Sequence, residues 1–114
     1  MMPLLKSMLL AGASPQADAA PTPPNPQLLA QALDRCMATY AVRLTRTATP
    51  DDAIYAQASQ GCAALSGQLD TAIKAQLPAR QAAEITERLH TSARPNFIAM
   101  LTKIRADRAA REGR

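Results

Sequence analysis

Apolar residues recur every three or four positions along three long stretches of the chain, and each stretch begins at or beside a proline. This spacing places the apolar side chains on one face of a helix. Proline suits the first helical turn, where the backbone N–H has no partner within the helix. The sequence therefore predicts three helices, over residues 26–47, 50–77 and 78–111, begun by the prolines Pro26, Pro50 and Pro78.

The apolar composition excludes a sheet-rich fold. The 114 residues include 25 Ala but only five Ile, one Val, one Phe and no Trp, whereas strands draw on β-branched and aromatic residues. Alanine favours helix, yet it has little side chain to bury. The prediction is a single all-α domain with a thin core.

Proline also interrupts the third stretch. Pro95 removes one helical hydrogen bond and disfavours helical geometry at Arg94. The apolar spacing resumes beyond it through Phe97 and Leu101. The third helix is therefore predicted to kink at Pro95, or to end and restart there. It would pack on an antiparallel hairpin formed by the first two helices.

The second helix has the clearest start. Thr49 is predicted to cap it, and Asp51 and Asp52 follow in the first turn, where carboxylates meet the positive end of the helix dipole. Gly61 and Gly67 lie inside this helix, where glycine is unfavourable. Both are predicted to mark the close approach of a neighbouring helix.

The two cysteines lie at nearly equal distances from the turn between the first two helices. Cys36 is 12 residues before Ala48 and Cys62 is 14 residues after it, and both fall on the apolar faces. In an antiparallel hairpin this brings them to the same height. We expect a disulfide between the middles of the two helices, and hence an oxidising compartment. The alternatives are two buried thiols, or a reactive or metal-binding pair.

The N-terminal residues differ from the rest. Residues 1–19 have one early Lys, a short apolar run and small residues before a cleavage point after Ala19 or Ala20, which together predict a signal peptide. The alternative is an unstructured tail. Residues 20–27 contain four prolines and are predicted to be an extended leader. The helical domain is assigned to residues 28–112, and no transmembrane segment is expected, because one needs about 20 apolar residues.

No arrangement of residues indicates an enzyme, a cofactor site or a metal site. His90 is the only histidine, and it is interpreted as a surface residue paired with Glu87. The position of Asp51 and Asp52 at a helix start explains that acidic pair without catalysis. Two Cys and one His are too few for a zinc site of four ligands.

Surplus positive charge collects in the last third of the chain. Residues 78–114 hold eight basic and four acidic side chains, against four of each in residues 26–77. This basic segment is a candidate contact for an anionic protein or membrane surface, although a solvated helix face is the simpler interpretation. The candidate contact residues are Lys103, Arg105, Arg108 and Arg111.

These features predict a small exported protein, periplasmic or secreted, that binds or supports something in the cell envelope and is not an enzyme. Its partner would be an unidentified protein or a membrane surface. The alternative is a cytoplasmic helical protein that contacts nucleic acid or another anionic partner through the basic segment. The sequence offers no aromatic platforms for single-stranded nucleic acid, which makes that alternative the weaker one.

Overall fold

A computed structural model describes residues 25–113, and within them the chain forms four helices and no strand. The all-α prediction is confirmed. The predicted signal peptide and leader residues 20–24 lie outside the described residues, while the first helix begins at Pro26, inside the segment assigned to the leader. The helices are α1 (Pro26–Leu44), α2 (Asp51–Gly61), α3 (Ala63–Gln76) and α4 (Ala79–Glu112).

The helix starts follow the prolines, with differences of one residue. Pro26 is the first residue of α1, and the Asn25 side chain caps this helix by accepting a 2.8 Å hydrogen bond from the Gln27 N–H. Pro50 and Pro78 instead stand one residue before α2 and α4. Pro50 and Pro78 are therefore the N-cap residues of these helices, one position before the first helical residue.

The predicted cap of α2 is wrong. Thr49 makes no capping hydrogen bond to α2; its hydroxyl lies 2.7 Å from the Thr47 hydroxyl, so the two threonines tie the turn to itself. Asp51 and Asp52 do occupy the first turn, as predicted. The helix dipole and the ion pairs described below stabilise this end of α2 in place of a side-chain cap.

Packing fixes an up-down-up arrangement. Ala41 near the end of α1 packs with Ile54 near the start of α2, whereas Leu29 at the start of α1 packs with Ile73 near the end of α3. The α2–α3 stretch is therefore antiparallel to α1, which confirms the predicted hairpin. The last helix, α4, returns alongside both, because its early residue Ala82 packs near the end of α3 and its later residues pack on α2.

The predicted second helix is interrupted at one residue. Cys62 has φ −108° and ψ 14°, outside helical geometry, and it separates α2 from α3. Helical hydrogen bonding resumes at once, since the Ser66 N–H donates to the Cys62 carbonyl at 3.1 Å. The interruption coincides with two tertiary contacts to α1, one at Cys62 itself and one at Gly61.

The disulfide is the first of these contacts. Cys36 and Cys62 are joined by an S–S bond of 2.05 Å with the Cα atoms 6.0 Å apart. The predicted pairing is confirmed. Its position differs in one respect: Cys36 lies within α1 as predicted, but Cys62 lies between two helices and not in the middle of one.

Gly61 is the second contact. A Cβ added to Gly61 would lie 1.9 Å from the Tyr40 hydroxyl oxygen, so the tyrosine of α1 occupies the space that a side chain would need. The close approach predicted here is confirmed. The same prediction is wrong for Gly67, where an added Cβ would have no neighbour within 4 Å.

The last helix passes through Pro95 without ending. α4 contains 34 residues, a length of about 50 Å. Packing on both sides of the proline explains the continuity. Ala82 and Ile85 are held near α3 before Pro95, and Phe97 and Leu101 are buried against α1 and α2 after it. These contacts offset the one hydrogen bond that proline removes.

The buried residues form two separate clusters. The turn-side cluster lies near the α1–α2 turn, and the α3-end cluster lies at the opposite end of the hairpin. Four of the ten buried apolar residues in the described part of the chain are alanines, so the core is as thin as the composition implied. The turn-side cluster contains Ala41, Ile54, Ala58, Phe97 and Leu101; the α3-end cluster contains Leu69, Ile73 and Ala82.

Candidate functional site: a cleft between the two clusters

A cleft of about 920 Å³ opens between the two clusters and is lined by residues of all four helices. Residues of α1 and α4 line it together with the buried Cys62 at the α2–α3 break. Along α4 it extends from Leu89 to Met100, about 16 Å of helix. Its volume falls in the range of pockets that hold small organic ligands, about 300–1,000 Å³.

Small side chains create this opening. Each helix of the bundle presents a small residue to the cleft: Ala38 in α1, Ser59 in α2, Ser66 in α3 and Ala93 in α4. None of these side chains extends more than one heavy atom beyond Cβ, so they cannot meet across the bundle. The larger residues of the two clusters space the helices, and the region between the clusters stays unfilled.

Leu89 locates the opening on the surface of α4. Leu89 is a large apolar residue of α4, and it is 40% exposed. It borders the cleft. No pattern within one helix indicates this site, because the residues that line it come from four helices.

Apolar side chains line both ends of the cleft. Tyr55 and Phe97 lie toward the turn-side cluster, with their ring centroids 5.5 Å apart, and the flexible side chain of Met37 lines the same end. Leu33 and Leu69 line the other end, where the α3-end cluster begins. A predominantly apolar lining is typical of ligand pockets.

One polar pair faces this apolar lining. The His90 Nε2 lies 3.0 Å and 3.2 Å from the two carboxylate oxygens of Asp70, so α4 and α3 are joined beside the cleft. The predicted partner of His90, Glu87, is replaced by an acid 20 residues away in the sequence. No helical spacing could have indicated this pair, because it depends on how α3 and α4 pack.

The cleft has polar groups for binding but no nucleophile held by a base. The His90 ring bonds to Asp70, and both cysteines are in the disulfide. Residues 25–113 include no group of three His, Cys, Asp or Glu side chains able to hold a metal ion. The arrangement supports hydrogen bonding and apolar contact with a ligand.

The basic segment contacts the chain's own α1–α2 turn. Arg105 Nη2 lies 2.7 Å from Asp51 Oδ1, and Arg94 forms an ion pair with Asp52. The predicted acidic pair at the start of α2 therefore binds two arginines of α4. These contacts hold the second half of α4 against the turn.

The three other candidate contact residues differ in their partners. Arg108 donates to the Thr45 hydroxyl at 3.2 Å and to the Val42 carbonyl at 3.4 Å, which supplies donors at the end of α1. Lys103 pairs with Asp107 one turn along α4, at 3.3 Å. Arg111 is exposed. Two of the four predicted contact residues, Arg105 and Arg108, thus bind other helices of the same chain.

Arg108→Ala is expected to lower the free energy of unfolding by about 1 kcal/mol, because the Val42 carbonyl and the Thr45 hydroxyl at the end of α1 lose a charged donor. Arg111→Ala is the matched control on the same helix, and its effect should stay within about 0.5 kcal/mol. Urea denaturation followed by circular dichroism measures both. Equal effects of the two replacements would show that Arg108 does not support the end of α1.

Comparison with known proteins finds no family model, no curated protein and no solved structure that matches this chain. Among residues 25–113, no helix combines the length and the apolar character needed to cross a bilayer.

Proposed function

We propose that this protein is a small, exported binding protein of the cell envelope that holds an apolar ligand in its central cleft and catalyses no reaction. The observation that carries the proposal is the cleft itself. Its volume, its apolar lining and its few convergent polar groups together match the usual properties of a ligand site between packed helices.

The disulfide supports the proposed location. Disulfides persist in oxidising compartments such as the periplasm and the extracellular space, and are rare in the cytosol. Here the Cys36–Cys62 bond uses both cysteines of the chain and links α1 to the α2–α3 junction. Export also agrees with the signal peptide predicted for residues 1–19.

The cytoplasmic alternative, contact with nucleic acid through the basic segment, has less support. Arg94 and Arg105 are paired with carboxylates of α2, and Arg108 is bound at the end of α1. Contact with a polyanion would have to compete with these internal partners. Lys103 pairs with Asp107, and the exposed Arg80, Arg88 and Arg111 are spread along the length of α4.

Binding of the neutral fluorescent dye N-phenylnaphthylamine tests the cleft. The dye should bind the purified chain and gain fluorescence in the apolar cleft. Ala93→Leu should weaken this binding at least about tenfold, because the larger side chain fills space between the helices. Leucine is a good helix former, so the replacement should leave the helix content unchanged.

Ala99→Leu is the matched control. Ala99 lies on the same helix, exposed and outside the cleft lining, so the same replacement there should leave dye binding unchanged. Circular dichroism checks that both variants fold. If the dye fails to bind, or binds equally to both variants, the cleft is not the binding site and the proposed function is wrong.

A further inference from the structure

We propose that the ligand of the cleft is a cationic amphiphile: an apolar chain or ring system that carries one positively charged, hydrogen-bond-donating head group. This inference rests on the proposed function and adds the charge of the ligand to it. It is carried by the contrast between the charge of the cleft and the charge of the whole protein.

The cleft is an acidic site on a basic protein. The whole chain has a net charge of +4 with histidine neutral. The charged residues that line the cleft are Asp34, Asp70 and Arg35, together with His90, so with His90 neutral the lining carries one net negative charge. A cation that enters this site moves from a basic protein surface that repels it to an acidic lining that attracts it. An anion moves from a surface that attracts it to a lining that repels it.

Side-chain length strengthens this asymmetry. A carboxylate on the short side chain of aspartate stays close to the helix that carries it. Arg35 has a long stem, and such side chains extend their charged end into water. Asp34 and Arg35 are both exposed on α1, and the long stem of Arg35 lets its guanidinium remain solvated. Asp70, with a side chain that is 25% exposed, keeps its charge at the cleft.

Asp70 is the acid best placed to bind the head group. Its side chain is 25% exposed, against 56% for that of His90, so the imidazole shields it from bulk water. A carboxylate accepts about four hydrogen bonds, and the contacts to the His90 Nε2 leave acceptor positions open. A protonated amine could therefore donate to Asp70 without displacing His90.

The apolar part of the ligand would extend away from Asp70 toward the turn-side cluster. Tyr55, Phe97 and Met100 line that end of the cleft, and Phe97 and Met100 lie about 10 and 15 Å along α4 from His90. Methionine adapts its shape to irregular apolar partners, so Met37 and Met100 can accommodate either a chain or a ring. The cleft thus has one acidic end and one apolar end, which matches an amphiphile in polarity and length.

Competition with the bound dye tests the head group. Decylamine, decanol and decanoate share one alkyl chain and differ in charge, and each is used below its micelle concentration at low ionic strength. Decylamine should displace the dye at a concentration at least about fivefold lower than decanol, and decanoate should be the weakest, because each charge interacts with the acidic lining at short range.

Asp70→Asn should reduce the advantage of decylamine over decanol to less than about twofold, because it removes the charge and keeps the shape. The control is Asp107→Asn, which makes the same change of net charge on exposed α4 outside the cleft and should leave the advantage intact.

The outcomes separate the two proposals. Displacement of the dye by all three compounds at one concentration, or most readily by decanoate, overturns the cationic assignment and leaves the binding function standing. Equal effects of Asp70→Asn and Asp107→Asn overturn it too, because the preference would then reflect net charge alone. Failure of the dye itself to bind removes the proposed function, and this inference with it.

Discussion

Replacement of Cys36 by serine is expected to lower the free energy of unfolding by about 2–5 kcal/mol. The disulfide joins residues 26 positions apart, and in the chain-entropy account a crosslink of this span contributes about 3.5 kcal/mol by restricting the unfolded chain. The folded chain has little else to offset such a loss, because four of its ten described buried apolar residues are alanines. Urea denaturation of the oxidised wild type and of Cys36→Ser measures the difference.

Cys62→Ser should have nearly the same effect, and the double variant should be little less stable than either single variant, because all three lack the same bond. Full additivity of the two single effects would show that the cysteines act separately. Peptide mapping without reductant supplies an independent check on material from the native host. The Cys36 and Cys62 peptides should be recovered linked, and the mature chain should begin near Ala20 if the predicted signal peptide is removed.

Gly61→Ala is expected to destabilise the fold by about 1–3 kcal/mol, although alanine is the better helix former. The added Cβ would meet three atoms of the Tyr40 side chain, at 1.9, 2.3 and 2.8 Å. A small rotation of the hydroxyl cannot relieve all three contacts, so the whole ring must move. Tyr40 packs against the turn-side cluster, and its displacement exposes that cluster.

Two controls make this prediction specific. Gly67→Ala, five residues further along, should stabilise α3 by about 0.5–1 kcal/mol, since an added Cβ has no neighbour within 4 Å there. In a Tyr40→Ala background, Gly61→Ala should be neutral or slightly stabilising, because the obstructing ring is gone. A loss of stability that persists in that background would place the strain in the backbone at Gly61 and not in the contact with Tyr40.

The helices and the disulfide follow from local features of the sequence. Apolar spacing, proline positions and alanine content act over a few residues, so they can be evaluated without knowledge of the fold. The pairing of Cys36 with Cys62 needs only the helix rise and one turn. The first-turn position of Asp51 and Asp52 also follows from the residues around it.

Features that depend on contact between helices could not be predicted in this way. The apolar spacing predicts an uninterrupted helix through Cys62 and leaves either a kink or a break open at Pro95. The structure interrupts the helix at Cys62 and continues it through Pro95. At Cys62 the disulfide and the Tyr40 contact interrupt the helix, whereas at Pro95 packing on both sides maintains it. In each case tertiary contacts outweigh a local preference of about 1–3 kcal/mol.

The candidate site is one of the features that depend on contact between helices. The helical class, the thin core and the pairing of the cysteines were predictable from the sequence, because each depends on composition or on spacing within one hairpin. The packing of the helices brings small side chains of all four helices to one opening and places Asp70 beside His90. A cleft is unfilled space between helices, so the sequence of no single helix encodes it.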